Sequence, residues 1–79
     1  MSTWQGKIVA RPDVMVGKPV IAGTRIPVEH IIGKLAAGMS IAEVLEDYRT
    51  LTADDILAAL AYAHDVIRSE DIVFAGATR

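Results

Sequence analysis

The side chains that could do chemistry are few and scattered. His30 and His64 are the two histidines, and there is no cysteine. They lack the H-E-x-x-H spacing that sets two imidazoles on one helical face to hold zinc. A metal site would have to recruit Asp or Glu from unrelated parts of the chain, so neither a metal nor any other cofactor is expected. Ser40 and Thr52 are nucleophile types, but each stands where a helix cap belongs, and neither has a histidine close in sequence. Gly17-Lys18 with Gly23-Thr24 superficially suggests a phosphate loop. The order is wrong, because the P-loop lysine follows the second glycine, and Pro19 deletes an N–H that a phosphate cradle needs. No catalytic residue is expected, and the chain reads as a non-enzyme.

Charge offers a second kind of chemistry. Residues 1–39 carry a balance of +3 and residues 40–79 a balance of −5, which together give the net −2. A phosphate-facing surface would therefore come from the N-terminal half, with Lys18, Arg25 and Lys34 as the candidates. Salt-bridge or solvating roles for these three bases are the alternative.

These residues sit on a short chain. Seventy-nine residues make one domain, which buries only about 60–65% of its unfolded surface and is marginally stable alone. The apolar content of 52% is high for that size, and a partner subunit is the usual remedy. The absence of cysteine suits a reducing compartment. No charged and apolar leader opens the sequence, and no apolar run approaches the ~18 residues of a membrane span. A soluble, cytoplasmic protein is expected.

The organising stretch runs from Gly17 to Val28. Pro19 to Ile21 and Arg25 to Ile26 are β-prone, and Ala22-Gly23-Thr24 between them is a turn. Pro19 and Pro27 donate no N–H, so neither belongs inside a central strand, and Pro27 suits the first turn of a helix. Gly17, Lys18, Pro19, Gly23, Thr24, Arg25 and Pro27 thus read as a structural motif, a small hairpin feeding the first helix. Upstream, Lys7-Ile8-Val9-Ala10 is a short strand that can add to the hairpin, with Trp4 capping the small sheet.

Three helices follow. Val28, Ile31, Ile32, Leu35 and Ala36 recur at amphipathic spacing, predicting a helix over about 27–37 closed by Gly38. Ser40-Ile41-Ala42-Glu43 is a capping box with Met39 and Val44 as its hydrophobic staple, opening a second helix to about Tyr48. Thr52 and Asp55 repeat that grammar for a third helix reaching about Ser69. Its face of Ile56, Ala59, Leu60, Ala63 and Ile67 is widened by Leu57, Ala58 and Ala61 beyond what two short neighbours can cover. The tail beyond it, with Ile72, Val73 and Phe74, reads as a short strand. It would pair with this chain's own N-terminal strands or with a partner's sheet edge. The fold class is therefore mainly α, a tri-helical helix-turn-helix-like bundle with a small N-terminal β hairpin. Residues 1–69 form the domain and 70–79 a tail. Leu57, Leu60, Ile67, Ile72, Val73 and Phe74 are the candidate dimer or partner contacts. A third helix opening with Thr52, Asp54 and Asp55 is a poor reader of a DNA groove, because phosphates repel it.

Gly17 to Val28, the junction Ala36-Ala37-Gly38-Met39-Ser40-Ile41 and Leu51-Thr52-x-x-Asp55-Ile56 together resemble the family catalogued as domain of unknown function 433. The resemblance covers about residues 8–64. Val16 stands where the family often has another glycine, and Arg49 where it often has a proline after Tyr48. The resemblance implies a compact, commonly dimeric bundle acting as the antitoxin half of a bacterial type II toxin–antitoxin pair. Such pairs often include a PIN-like ribonuclease toxin, which would be the protein partner. Antitoxins often also bind their promoter, so a DNA-binding repressor or operon autoregulator is the alternative function.

Overall fold

The computed structural model describes residues 4–10, 12–13 and 17–70. Its elements are β1 (Ile8–Val9), β2 (Val20–Ile21), α1 (Val28–Ala36), α2 (Ile41–Asp47) and α3 (Ala53–Glu70). The architecture is the expected three helices with a small antiparallel β element. Among the described residues no helix is long and apolar enough to cross a membrane.

The β element closes in a way the local sequence only half announces. β2 pairs antiparallel with β1, Ile8 opposite Ile21 and Val9 opposite Val20. The Arg25–Ile26 arm forms no strand of its own. It returns beside β2 through a single bridge between Val20 and Pro27, with the Ile21 N–H donating to the Ile26 carbonyl at 3.0 Å. Gly23 takes φ +81° at the turn, a region costly for a residue with a Cβ. Thr24 locks that turn from both sides. Its hydroxyl donates to the Ile21 carbonyl at 2.8 Å and accepts the Ile26 N–H at 3.0 Å. Pro27 then sits at the N-cap of α1, extended at φ −70° and ψ 142°, one residue before the helical turn expected to contain it. The cause is Val28, whose N–H donates back to the Pro19 carbonyl at 2.9 Å and ties the start of α1 to the hairpin.

The helix junctions follow their sequence signatures closely. α1 ends in a Schellman motif: Met39 N–H donates to the Lys34 carbonyl and Gly38 N–H to the Leu35 carbonyl, with Gly38 at φ +101°. In the capping box of α2, Ser40 N–H donates to Glu43 Oε1 at 2.8 Å and Glu43 N–H to Ser40 Oγ at 3.1 Å. Thr52 and Asp55 make the equivalent pair of bonds at 2.9 and 3.3 Å. Because α2 has only 7 residues, too few to hold a helix unaided, its cap carries weight. Ser40→Ala is expected to cost about 1 kcal/mol, read as a lower urea midpoint with an unchanged slope.

The core gathers one side of every element: Ile8, Ile21, Val28, Ile31, Val44, Leu51, Ile56, Ala58 and Ala59. Ile31, Ile56 and Val44 are completely buried. Alanines at 58 and 59 let α3 approach its neighbours closely while leaving its remaining circumference free.

Candidate functional site

α3 is too long for the rest of the domain to cover. Its 18 residues extend well past the two-turn α2, and only its core-facing side is buried. The expected surplus is present. Leu57 is 52% exposed, Leu60 39% and Ile67 63%. Ile72, Val73 and Phe74, the other expected contacts, lie outside the described residues, as does the tail strand.

Where α1 and α3 lie side by side they leave an apolar groove of ≈ 470 Å³. Val28, Ile32 and Gly33 of α1 form one wall and Tyr62, Val66 and Ile67 of α3 the other, with Pro19 beside them. Glu29 is the one charged residue lining it. Gly33 matters here because a Cβ built on it meets no atom within 4 Å, so the groove passes over bare backbone. Of these residues, only Ile67 is among the contacts that the sequence predicts. The periodicity places Val28 and Ile32 on the core stripe of α1; Val28 is buried and Ile32 half-buried.

The candidate bases are mostly engaged within the chain. Lys18 Nζ donates to Glu29 Oε2 at 2.8 Å, and that bond holds the Glu29 carboxyl below its ordinary pKa. Lys34 Nζ donates to Asp47 Oδ2 at 2.9 Å, linking α1 to α2 and raising the Lys34 pKa. The same ammonium lies 5.6 Å from the Tyr48 ring centroid, close enough for a cation–π contact. Arg25 is exposed beside the hairpin turn and forms no ion pair among the described residues. The three do not converge on one anion site.

Trp4 does more than cap the sheet. Its carbonyl accepts the Lys7 and Ile8 N–H groups, but its indole reaches across to α3. It packs edge-on against Tyr62, centroids 4.9 Å apart and planes at 87°, and its Nε1–H donates to Asp65 Oδ2 at 2.7 Å. That indole bond, followed by His64 Nδ1 at 3.1 Å from Oδ1, holds the Asp65 carboxyl below its usual range. Lys7 adds a second tie from the N-terminus to α3, 3.4 Å from the half-buried Asp55. His30 and His64 are both exposed and on separate helices, and no group of three or more metal-ligating side chains forms among the described residues.

The profile of the family described as "Protein of unknown function (DUF433)" matches residues 8–63 of this chain. The chain belongs to the DUF433 family. The match spans β1 through most of α3, so it takes in the α1 wall of the groove and Tyr62, while Val66 and Ile67 lie beyond it. A curated relative, the uncharacterized protein y4eO of Sinorhizobium fredii (strain NBRC 101917 / NGR234), is 39% identical over 56 residues. That alignment takes in 71% of this chain but only 25% of y4eO, so the chain spans about a quarter of that relative's length. The crystal structure of a DUF433 member from Anabaena variabilis ATCC 29413 superposes with a TM-score of 0.75 at 34% identity. The superposition covers 85% of this chain and 66% of the Anabaena one. The three-helix arrangement with its β element is thus the DUF433 fold.

Proposed function

We propose that this DUF433 protein is a non-enzymatic, antitoxin-like module that homodimerises and binds and neutralises a PIN-like ribonuclease toxin. The supporting observation is the apolar groove between α1 and α3, flanked by exposed Ile67. An open, nearly uncharged groove between two helices suits an amphipathic helix of a partner, which lays its apolar face into such a cleft. Neutralisation then follows from the bound domain occluding or distorting the toxin's acidic metal site. The toxin's identity as PIN-like rests on the family resemblance.

The test is co-expression with the protein encoded in the neighbouring reading frame, followed by size-exclusion chromatography with light scattering and a ribonuclease assay. Gly33→Leu is the diagnostic variant. It fills the groove from a position with free space, and it replaces a helical glycine, so stability should hold or rise by up to about 1 kcal/mol. The expected result is a well-folded variant that no longer co-elutes with the toxin or restrains it. Unchanged binding by a folded Gly33→Leu protein would remove the groove from the interface.

The repressor alternative draws less support, since Lys18 and Lys34 already have carboxylate partners and only Arg25 of the three bases is free to meet phosphate.

A further inference from the structure

On α3, Leu57, Leu60, His64 and Ile67 are all exposed and recur at spacings of three, four and three. That is the a/d seam of a heptad, with Leu57 and His64 at a, and Ala53, Leu60 and Ile67 at d. The seam borders the buried side at Ile56, four residues before Leu60, and turns away from Ala58 and Ala59. It is therefore a second apolar surface, meeting the groove only at Ile67.

We infer that the occupant of this seam is α3 of a second copy, running antiparallel. The inference rests on the homodimer part of the proposed function and specifies its geometry. Charge selects the direction. The e positions beside the seam are Asp54, Ala61 and Arg68, acidic at the helix start, small at its centre and basic at its end. An antiparallel pair centred near residue 62 sets Leu57 against the second copy's Ile67 and Leu60 against its His64. In the same register, residues at e face e of the other helix, so each Asp54 meets an Arg68 and the two Ala61 residues meet at the dyad. A parallel pair would instead set e against g of the other helix, Ala61 beside Ile56 and Arg68 beside Ala63, with no opposite-charge pair within α3. Both Asp54 and Arg68 are exposed, and neither forms an ion pair among the described residues. One His64–Leu60 layer on each side of the dyad gives the seam the polar step that fixes register in helical zippers. Such a dimer is isologous and takes only Ile67 from the groove, so Val28, Ile32, Gly33, Tyr62 and Val66 stay open to a partner.

The experiment is sedimentation equilibrium on the full chain and on three variants: Asp54→Arg, Arg68→Asp and the double swap. Each single reversal turns two attractive pairs into two repulsive ones and is expected to weaken dimerisation about tenfold, whereas the double swap restores it. Since the chain has no cysteine, engineered thiols report the register independently. Leu57→Cys mixed with Ile67→Cys should oxidise to the mixed disulfide dimer, and Leu57→Cys alone should not crosslink. A wild-type monomer at tens of micromolar would overturn the seam and the homodimer together. A dimer indifferent to the charge reversals, or one crosslinked by Leu57→Cys alone, would overturn the antiparallel seam while leaving homodimerisation standing.

Discussion

Ile31→Ala and Ile56→Ala are each expected to remove about 2–5 kcal/mol of folding stability, enough to leave much of the protein unfolded at ambient temperature. Both side chains are completely buried, one in the middle of α1 and one in the first turn of α3. Truncation deletes three methyl or methylene groups in each case and leaves a void that the packed surroundings fill only partly. The loss is large against the total. A domain of 79 residues holds on the order of 4–12 kcal/mol. Thermal unfolding followed by circular dichroism should show a midpoint lower by ten degrees or more, at about 4–8 °C per kcal/mol for a domain of this size. Ile→Val at the same positions should cost only about 0.5–1.5 kcal/mol, which separates cavity formation from any polar effect. These substitutions also bear on function. α1 and α3 are the two walls of the groove, so a core that lets them drift apart should lose partner binding even where folding survives.

How much of this was legible in the sequence depends on the range of the interaction. The caps of α2 and α3 lie within four residues of each other and obey a reciprocal hydrogen-bonding pattern, so Ser40–Glu43 and Thr52–Asp55 could be read directly. Gly38 was legible for the same reason, since a left-handed residue after a periodic run ends a helix. The turn at Ala22-Gly23-Thr24 was recognisable, but the strand that pairs with β2 was not fixed by local pattern. Two antiparallel candidates flanked it, and the choice of Ile8–Val9 over Arg25–Ile26 follows from tertiary packing of Ile8 in the core. The exposed side of α3 was visible as an excess of apolar positions. The groove was not, because it depends on how α1 lies against α3, and nothing in the spacing of Ile32, Gly33, Tyr62 and Val66 says that they face one another. A glycine within an amphipathic helix was the one available hint. The bases show the same limit. Lys18 and Lys34 looked available to phosphate because their carboxylate partners sit 11 and 13 residues further along the chain.

A contact between residues 61 apart in the chain sets the last prediction. Trp4→Ala is expected to lower stability by about 2 kcal/mol, less than a core aromatic because Trp4 is only half-buried. It removes the edge-on packing against Tyr62 and the indole bond to Asp65, 61 residues away, and so releases the N-terminal segment from α3. Trp4→Phe separates the two contributions, keeping a ring and deleting the N–H donor. The sign of its pH dependence follows from Asp65. The folded carboxyl is held below its ordinary value of 3.8, chiefly by the Trp4 N–H and then by His64. The Asp65 contribution is therefore fully present above the ordinary carboxyl range and is lost as the pH falls through the lowered folded value. Wild type and Trp4→Phe should accordingly differ in stability near neutrality and converge in acid, as read by urea midpoints measured from pH 7 down to pH 3. A difference that stayed constant across that range would show that the indole contributes by packing alone. The stake extends beyond stability. Tyr62 carries Trp4 on one side and forms part of the groove wall on the other, so a Trp4→Ala protein that stays folded should bind its partner more weakly.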